Sequence, residues 1–556
     1  MAGADGTEAT GTTRAWAGKP QWRILVAGSN AALNFLLAWR AWKDDPNRPR
    51  MLHVVMIEPL PVSQAAMGAI ARAHPELAPV AGELAAQWFG LMPGSHRLAF
   101  EQGHVLLTLH VNDLATVLRR ERFTADCVML DTVDPASVKA IARHCERGAT
   151  FSAPTASDEA IAQLEQCGFV ISAREKTATS LTGQFMPSWE PKKRPGSGSG
   201  TATASTCIVI GGGLAGSAVA ASLARRGWSV CVMDAAAQPA FGASGAPVAM
   251  LAPHFSPDDS MLSRLSRAGV RMTLQQAREH LADGRDFSAC GILELRDVGP
   301  HTFTEAQAPW SRPVTNGLWH EQAAWIKPAA LVASWLAESG VQWRGICHAG
   351  RCVHDAASGA WIVLDSQGAE LGRAELIVVA ASVASGELAS EDLPLQPVRG
   401  QISWGTQAAS ALPPYPVNGN GHLIPSVPLA GGAAWAWYCG STFDRADASM
   451  DVRQEDHAAN LDRLRQLLPG AASAIENEFI NGTVQAWTGV RCASSNRRPL
   501  VGQLHPGMWV STAMGSRGLT FCVLCAEILA ARLHDEPLPI ETRLADALTP
   551  LTPLTP

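Results

Sequence analysis

TCIVIGGGLAGSAVAASLARRGWSVCVMD, residues 206–234, decides the fold of this chain. Residues 207–210 form a short apolar run, as a buried parallel strand does. Gly211, Gly213 and Gly216 follow at the spacing G-x-G-x-x-G. Residues 217–226 are Ala-rich and predict a helix ending at Gly227. A second apolar run, 230–233, closes on Asp234. Gly211 permits the tight turn, Gly213 lets a pyrophosphate approach the backbone, and Gly216 lets helix and strand pack closely. The helix start offers free N–H groups to phosphates. Asp234 stands where a carboxylate accepts hydrogen bonds from a ribose. Strand, glycines, helix, strand and acid in this order predict a bound dinucleotide. A glycine-rich turn in an ordinary α/β domain is the alternative.

Downstream, the small residues Gly242, Ser244 and Gly245 form a loop able to approach a cofactor. Residues 375–381 predict a strand returning to the same sheet. VRGQISWG (398–405) and the Trp-rich run 431–444 predict antiparallel strands of a substrate domain, within 260–370 and 395–480. A helix is expected at 454–468, then glycine-rich turns and a last helix in 489–532.

Upstream, a second α/β unit begins at Trp22. Strands are expected at 23–27, 52–57, 104–111 and 127–130, with a helix at 31–42. Three of these strands run into acids, Glu58, Asp113 and Asp131. Acids at the carboxyl edge of a parallel sheet suit a nucleotide-type cofactor; strand ends at a solvated edge are the alternative. Between the halves, 187–205 is rich in Pro, Gly, Ser and Lys and reads as a linker. Its Lys192, Lys193 and Arg194 are expected to be solvated. Residues 1–20 are expected to be disordered and 546–556 to be a tail.

A chain of 556 residues exceeds one core. Its 47% hydrophobic and 17% charged content is that of a folded protein. A net charge of −6 gives no global pull on nucleic acid, so an RNA partner needs a local basic patch. No apolar run reaches a membrane span and the start lacks a signal-peptide core, so a cytoplasmic protein is expected. Twelve cysteines are scattered. Cys522 and Cys525 are the only C-x-x-C pair, without a second pair to complete a zinc site. They are expected to pack as small apolar residues on one helix face, and no metal is expected.

Five segments, IGGGLAG (210–216), FGASGAPVAMLAP (241–253), CGILEL (290–295), GVRCASSNRRPLVG (489–502) and MGSRGLTFCVLCAEILAARL (514–533), resemble the MnmC family of bifunctional tRNA-modifying enzymes. The resemblance runs from about residue 22 to 545. It implies a Rossmann-like methyltransferase fold in 21–186, joined to an FAD-dependent oxidoreductase of D-amino-acid-oxidase fold in 206–545. It implies FAD as cofactor, SAM as a second, and tRNA as partner. The implied oxidation removes the carboxymethyl carbons from 5-carboxymethylaminomethyl-(2-thio)uridine as glyoxylate. A flavin accepts the hydride, so the protein mainly positions substrate. A carboxylate-bearing amine calls for a fixed cation, and Arg491 is the candidate, by its bidentate fork; a structural ion pair is the alternative. Arg517 is assigned to the flavin or to a tRNA phosphate. Gly515 and Gly518 bracket a turn into a helix whose start suits a reduced flavin. His422 replaces the family's Tyr in G-Y-L-x-P and is expected to be a plain substitution in a surface turn.

The family's SAM loop, E-x-G-F-G-T-G-L-N-F, reads here VAGSNAALNF (26–35). Of its glycines only Gly28 remains. Ala32 would cost about 1 kcal/mol if its φ had to be positive, and its methyl would crowd a cofactor. By resemblance Glu58 holds the ribose, Asp113 lies near the adenine and Asp131 acts on the substrate amine. The expectation is a working oxidase half and a degenerate methyltransferase half. A monomer is expected. The competing reading is an FAD-dependent oxidase of small amino acids or secondary amines.

Overall fold

A computed structural model of the chain describes residues 15–172, 181–190, 202–296, 304–406, 412–432 and 434–550. Of the segments expected to be disordered or a tail, 1–14 and 551–556 lie outside these, as does the basic run Lys192–Lys193–Arg194. Residues 15–20 and 546–550 are packed instead: Trp16 is fully buried and donates from Nε1 to Asp45 at 2.6 Å, and Leu548 is fully buried and accepts from Val501 N at 2.8 Å. Two compact units divide the chain: Met1–Thr203 with Ala530–Ala545, and Ala204–Leu529 with Asp546–Pro556.

The first unit is built on eight strands: β1 (Gln21–Ala27), β2 (Met51–Ile57), β3 (Gly94–Phe100), β4 (Val105–Val111), β5 (Ala125–Leu130), β6 (Cys145–Ala153), β7 (Phe169–Ser172) and β8 (Leu181–Phe185). Their order is β3-β4-β2-β1-β5-β6-β8-β7. The run β4-β2-β1-β5-β6 is parallel, and both ends are antiparallel. Every residue of β2 and β4 is buried, which explains their mostly apolar sequences, interrupted only by His53, Thr108 and His110. Register pairs Ala27 with both Ile57 and Leu130, so the residues after these three strands emerge side by side. Helix α1 (Ala31–Asp44) leaves from the end of β1.

Residues 530–545, which the sequence places with the oxidoreductase, pack in this first unit instead. Thr542 donates to Glu121 through its N–H (2.7 Å) and its hydroxyl (2.9 Å). Ser95 N donates to Glu541 across 3.0 Å, and Arg23 Nη1 reaches Asp535 O at 3.2 Å. No periodicity announces such a return; the partners are single polar groups far away in sequence.

In the second unit β9 (Thr206–Ile210), helix α2 (Leu214–Arg225) and β10 (Ser229–Met233) form the expected βαβ start. With β11 (Val341–Arg344), β12 (Leu376–Val379), β13 (Leu500–His505) and β14 (Met508–Thr512) they make a sheet of order β11-β10-β9-β12-β14-β13. A larger, mainly antiparallel sheet follows the Trp-rich region. Its spine is Leu395–Gly405, paired from Leu395↔Ser494 to Trp404↔Gln485 with strand Gln485–Ser494, and paired also with Trp435–Gly440. Helix α3 (Gly518–His534) carries Cys522 and Cys525, both fully buried, and burial pushes the Cys522 thiol up to about 12. No helix of the described residues is long and apolar enough to cross a membrane.

Candidate active site

The turn after β9 is shaped by glycines for identifiable reasons. Gly211 has φ +113°, and a Cβ there would lie 2.4 Å from Ala380 O. A Cβ on Gly216 would lie 1.9 Å from Gly211 O, so only glycine lets α2 sit this close to β9. A Cβ on Gly213 would meet the Ser244 hydroxyl at 2.8 Å. Ser244 Oγ accepts from Leu214 N at 2.9 Å, which fastens the 242–245 loop to the start of α2. Asp234 accepts from Gly212 N (2.7 Å) and Ala236 N (2.8 Å). Its carboxylate thus braces the glycine turn, leaving further lone pairs toward the cavity.

Gly211, Gly213, Asp234, Gly242, Ser244, Gly515, Arg517 and Gly518 line one cavity of about 1220 Å³. Gly216 and Gly245 stand behind it and fix the backbone that does. The bare glycine turn at the positive end of a helix suits a diphosphate, and the long cavity suits a dinucleotide, so the residues present fit FAD.

Arg491 enters the same cavity from strand Gln485–Ser494, opposite Val398. Its Nη2 donates to Ser441 Oγ at 2.8 Å and Nη1 to Thr442 O at 3.5 Å. The guanidinium lies over Phe443, 5.8 Å from the ring centre. It has no carboxylate within ion-pair distance among the described residues. Burial pulls its proton affinity down, and Asp444 only partly opposes this. A buried cation bonded solely to neutral oxygens suits an anionic ligand; the ion-pair alternative finds no partner among the described residues.

His422 is not in a surface turn. It lies on strand Gly421–Pro428, pairs with Asn418 and Gly440, and lines the cavity beside Arg491. Burial and the nearby Arg491 charge hold its pKa down at about 4. Ser441, Asn418 and Trp487 also face this space, though no motif in the sequence singles them out. Only position next to Gly440 and strand register with His422 could have exposed Ser441.

In the first unit Gly28 has φ +116°, and a Cβ there would meet Asp131 Cγ at 2.5 Å. Asp131 accepts from Ser29 Oγ (2.8 Å) and Asn30 N (2.9 Å), capping α1 in place of Asn30. The expected strain at Ala32 does not arise. Ala32 is helical within α1 and 1% exposed, its methyl packed in the apolar core rather than toward a cofactor. The loop needs positive φ at Gly28 alone.

Glu58, 4% exposed, accepts from Val62 N through Oε2, while Oε1 has no partner. Burial raises its pKa to about 7, with a smaller push from Asp131. An orphaned acceptor at this sheet edge is what a ribose hydroxyl would satisfy, and the residues here fit SAM. Asp113 is exposed and caps helix Leu114–Arg120 through Thr116 N at 2.8 Å; those bonds hold its carboxyl below the usual range.

Comparison with known proteins gives the class first. A family model described as FAD dependent oxidoreductase matches residues 206–532, and one described as S-adenosyl-L-methionine-dependent methyltransferase matches 75–180. The chain is therefore an FAD-dependent oxidoreductase carrying a SAM methyltransferase domain. It is 47% identical to a protein of Polaromonas sp. (strain JS666), over 97% of this chain and 92% of that one. It is 44% identical to one of Verminephrobacter eiseniae, over 97% of each. Both bear the name tRNA 5-methylaminomethyl-2-thiouridine biosynthesis bifunctional protein MnmC, and this chain belongs to that family. Among solved structures, glycine oxidase from Bacillus cereus aligns at 20% identity and TM-score 0.48, over 63% of this chain and 99% of that one.

Proposed function

We propose that this chain modifies the wobble uridine of tRNA, removing the carboxymethyl group of 5-carboxymethylaminomethyl-(2-thio)uridine to leave 5-aminomethyl-(2-thio)uridine. The observation that carries this reading is Arg491, a buried guanidinium bonded only to neutral oxygens among the described residues, facing the cavity beside the glycine turns. Its fork takes the substrate carboxylate. That anchor sets the adjacent CH2–NH bond in the cavity, where orientation supplies much of the rate. The 211–216 turn and the 242–245 and 515–518 loops would hold FAD, which would supply the two-electron acceptor for the CH2 hydride. The amine nitrogen loses its proton, and water adds to the resulting C=N bond. The C–N bond then breaks, giving glyoxylate and the primary amine. His422, uncharged at neutral pH, adds no second cation beside the secondary amine.

A second step, SAM-dependent methylation to 5-methylaminomethyl-(2-thio)uridine, is favoured by the unpartnered Oε1 of Glu58. Glu58 would hold the ribose hydroxyls and Asp131 would take the proton released by the amine, while SAM supplies the methyl group.

Incubating the FAD-loaded full chain with tRNA bearing the carboxymethylaminomethyl group, with and without SAM, and weighing the nucleosides tests both steps. The aminomethyl product is expected without SAM and the methylaminomethyl product with it. Turnover of free glycine or sarcosine at rates comparable to tRNA would replace this reading with a small-amine oxidase.

A further inference from the structure

Net charge is −6, so any hold on a polyanion must be local. Beyond Arg491 the strand ends in the turn Ser494–Ser495–Asn496–Arg497–Arg498. This turn is braced. Arg497 N donates to Ser494 O at 3.1 Å, and Arg498 N donates to Ser494 Oγ and Asn496 Oδ1, each at 3.0 Å. Arg497 is held at φ +60° and is exposed. The 513–517 turn lies alongside: Gly515 N donates to Cys492 O at 2.7 Å, and Ala493 bridges to Met514. That places Arg517, which lines the cavity, next to the same turn.

None of the three guanidinium groups, of Arg497, Arg498 or Arg517, has a hydrogen-bond or ion-pair partner among the described residues. Burial and the like charge of Arg497 both lower the proton affinity of Arg517. The acid whose charge reaches Arg517 is Glu294, already bound to His320 Nε2 at 3.0 Å and paired with Arg296 at 3.4 Å. Three unneutralised cations on two adjoining, hydrogen-bonded turns, with Arg517 lining the cavity that Arg491 also lines, form an anion site of a second kind. A nucleotide whose base enters the cavity leaves its phosphates outside.

We propose that Arg497 and Arg498 grip backbone phosphates of the RNA flanking the nucleotide under modification, with Arg517 the inner member of the row. The proposal rests on the tRNA reading above and names the surface that serves it. The test uses the FAD-loaded full chain and variants Arg497→Ala/Arg498→Ala and Arg497→Lys/Arg498→Lys. Binding of tRNA bearing the carboxymethylaminomethyl group is titrated at several salt concentrations. Oxidation of that tRNA and of free 5-carboxymethylaminomethyluridine is followed in parallel. The alanine pair should bind tRNA about tenfold more weakly at low salt, with a log K against log salt slope shallower by about 1.4, as two lost single-strand phosphate contacts require. Its kcat/KM ratio of tRNA to nucleoside should fall by a similar factor, and the lysine pair should keep the slope. An unchanged slope with tRNA still bound overturns the proposal and spares the tRNA reading. Equal losses on tRNA and nucleoside overturn it in favour of a carboxylate contact. Failure of the unaltered protein to bind tRNA overturns both.

Discussion

Arg491 and Ser441 are joined by a hydrogen bond of 2.8 Å from Nη2 to the hydroxyl oxygen, and this fixes the guanidinium where the cavity can use it. The other side of the guanidinium is bounded by backbone. A Cβ on Gly400 would lie 2.3 Å from Nη1 and 2.6 Å from Nη2. The anchor is therefore held by a hydroxyl on one side and by the absence of a side chain on the other.

Gly400→Ala should displace the guanidinium and lower kcat/KM about 100-fold, the usual cost of misplacing a positioning group by about 1 Å. Arg491→Ala should cost about 1000-fold, as loss of a desolvated charge partner does. Ser441→Ala should raise KM by only a few-fold, since the fork itself remains. All three should stay yellow. Steady-state kinetics with the flavin content measured alongside checks this. A colourless Gly400→Ala would show that the glycine serves the fold rather than the anchor.

Gly216 and Gly242 make opposite predictions. An alanine at 216 would drive its Cβ into Gly211 O, at 1.9 Å, in a turn with no room to shift. Gly216→Ala should destabilise the second unit by about 1–3 kcal/mol and release flavin on gel filtration. Gly242 has nothing within 4 Å of its would-be Cβ. Gly242→Ala should change stability by less than about 0.5 kcal/mol. Thermal melts followed by flavin fluorescence separate the two.

Such contrasts mark what the sequence makes legible. The G-x-G-x-x-G turn is readable because each glycine answers a local steric demand that spacing records. Arg491 is readable as a cation in a glycine-flanked strand, but that no carboxylate among the described residues lies within ion-pair distance of it is a three-dimensional fact. His422 reads as a turn residue because one residue in a turn-like string, Gly-His-Leu-Ile-Pro, does not reveal that its strand borders the cavity. Ala32 differs from its expectation for a related reason. Missing glycines suggest strain only where φ is positive, and α1 begins early enough to make Ala32 an ordinary helical residue.

Glu58 couples the methyltransferase domain to pH. Its pKa is raised from 4.5 to about 7, so the folded carboxyl holds its proton where the unfolded one has lost it. Its contribution to folding is therefore full below about pH 4.5 and disappears as pH rises toward 7. A ribose diol donates hydrogen bonds and prefers the ionised acceptor. SAM affinity of the full chain should thus rise severalfold from about pH 6 to about pH 8. Glu58→Gln should bind more weakly and show no such rise. Calorimetric titration at the two pH values decides it, and a pH-independent affinity in the unaltered protein would remove Glu58 from the SAM site.

Residues 530–545 make a last prediction, about where the first unit ends. Glu121 accepts two bonds from Thr542, and Ser95 N spends its donor on Glu541. Arg23, buried against Asp126 at 2.9 Å, also reaches Asp535. Removing the segment takes one hydrogen-bond partner or more from each of these partly buried groups, though Arg23 keeps Asp126, at about 0.5–1.5 kcal/mol for each bond lost. Summed over three sites, that is a large share of a domain's usual margin. A fragment of residues 1–190 should therefore melt without a sharp transition, and a peptide of residues 530–545 added in excess should restore one. In the full chain, Glu121→Ala should lower the first unit's midpoint by several degrees while flavin release stays at its original temperature. Circular dichroism melts of the fragment, with and without the peptide, are the check; cooperative unfolding of the fragment alone would make the segment a passenger rather than part of the unit's core.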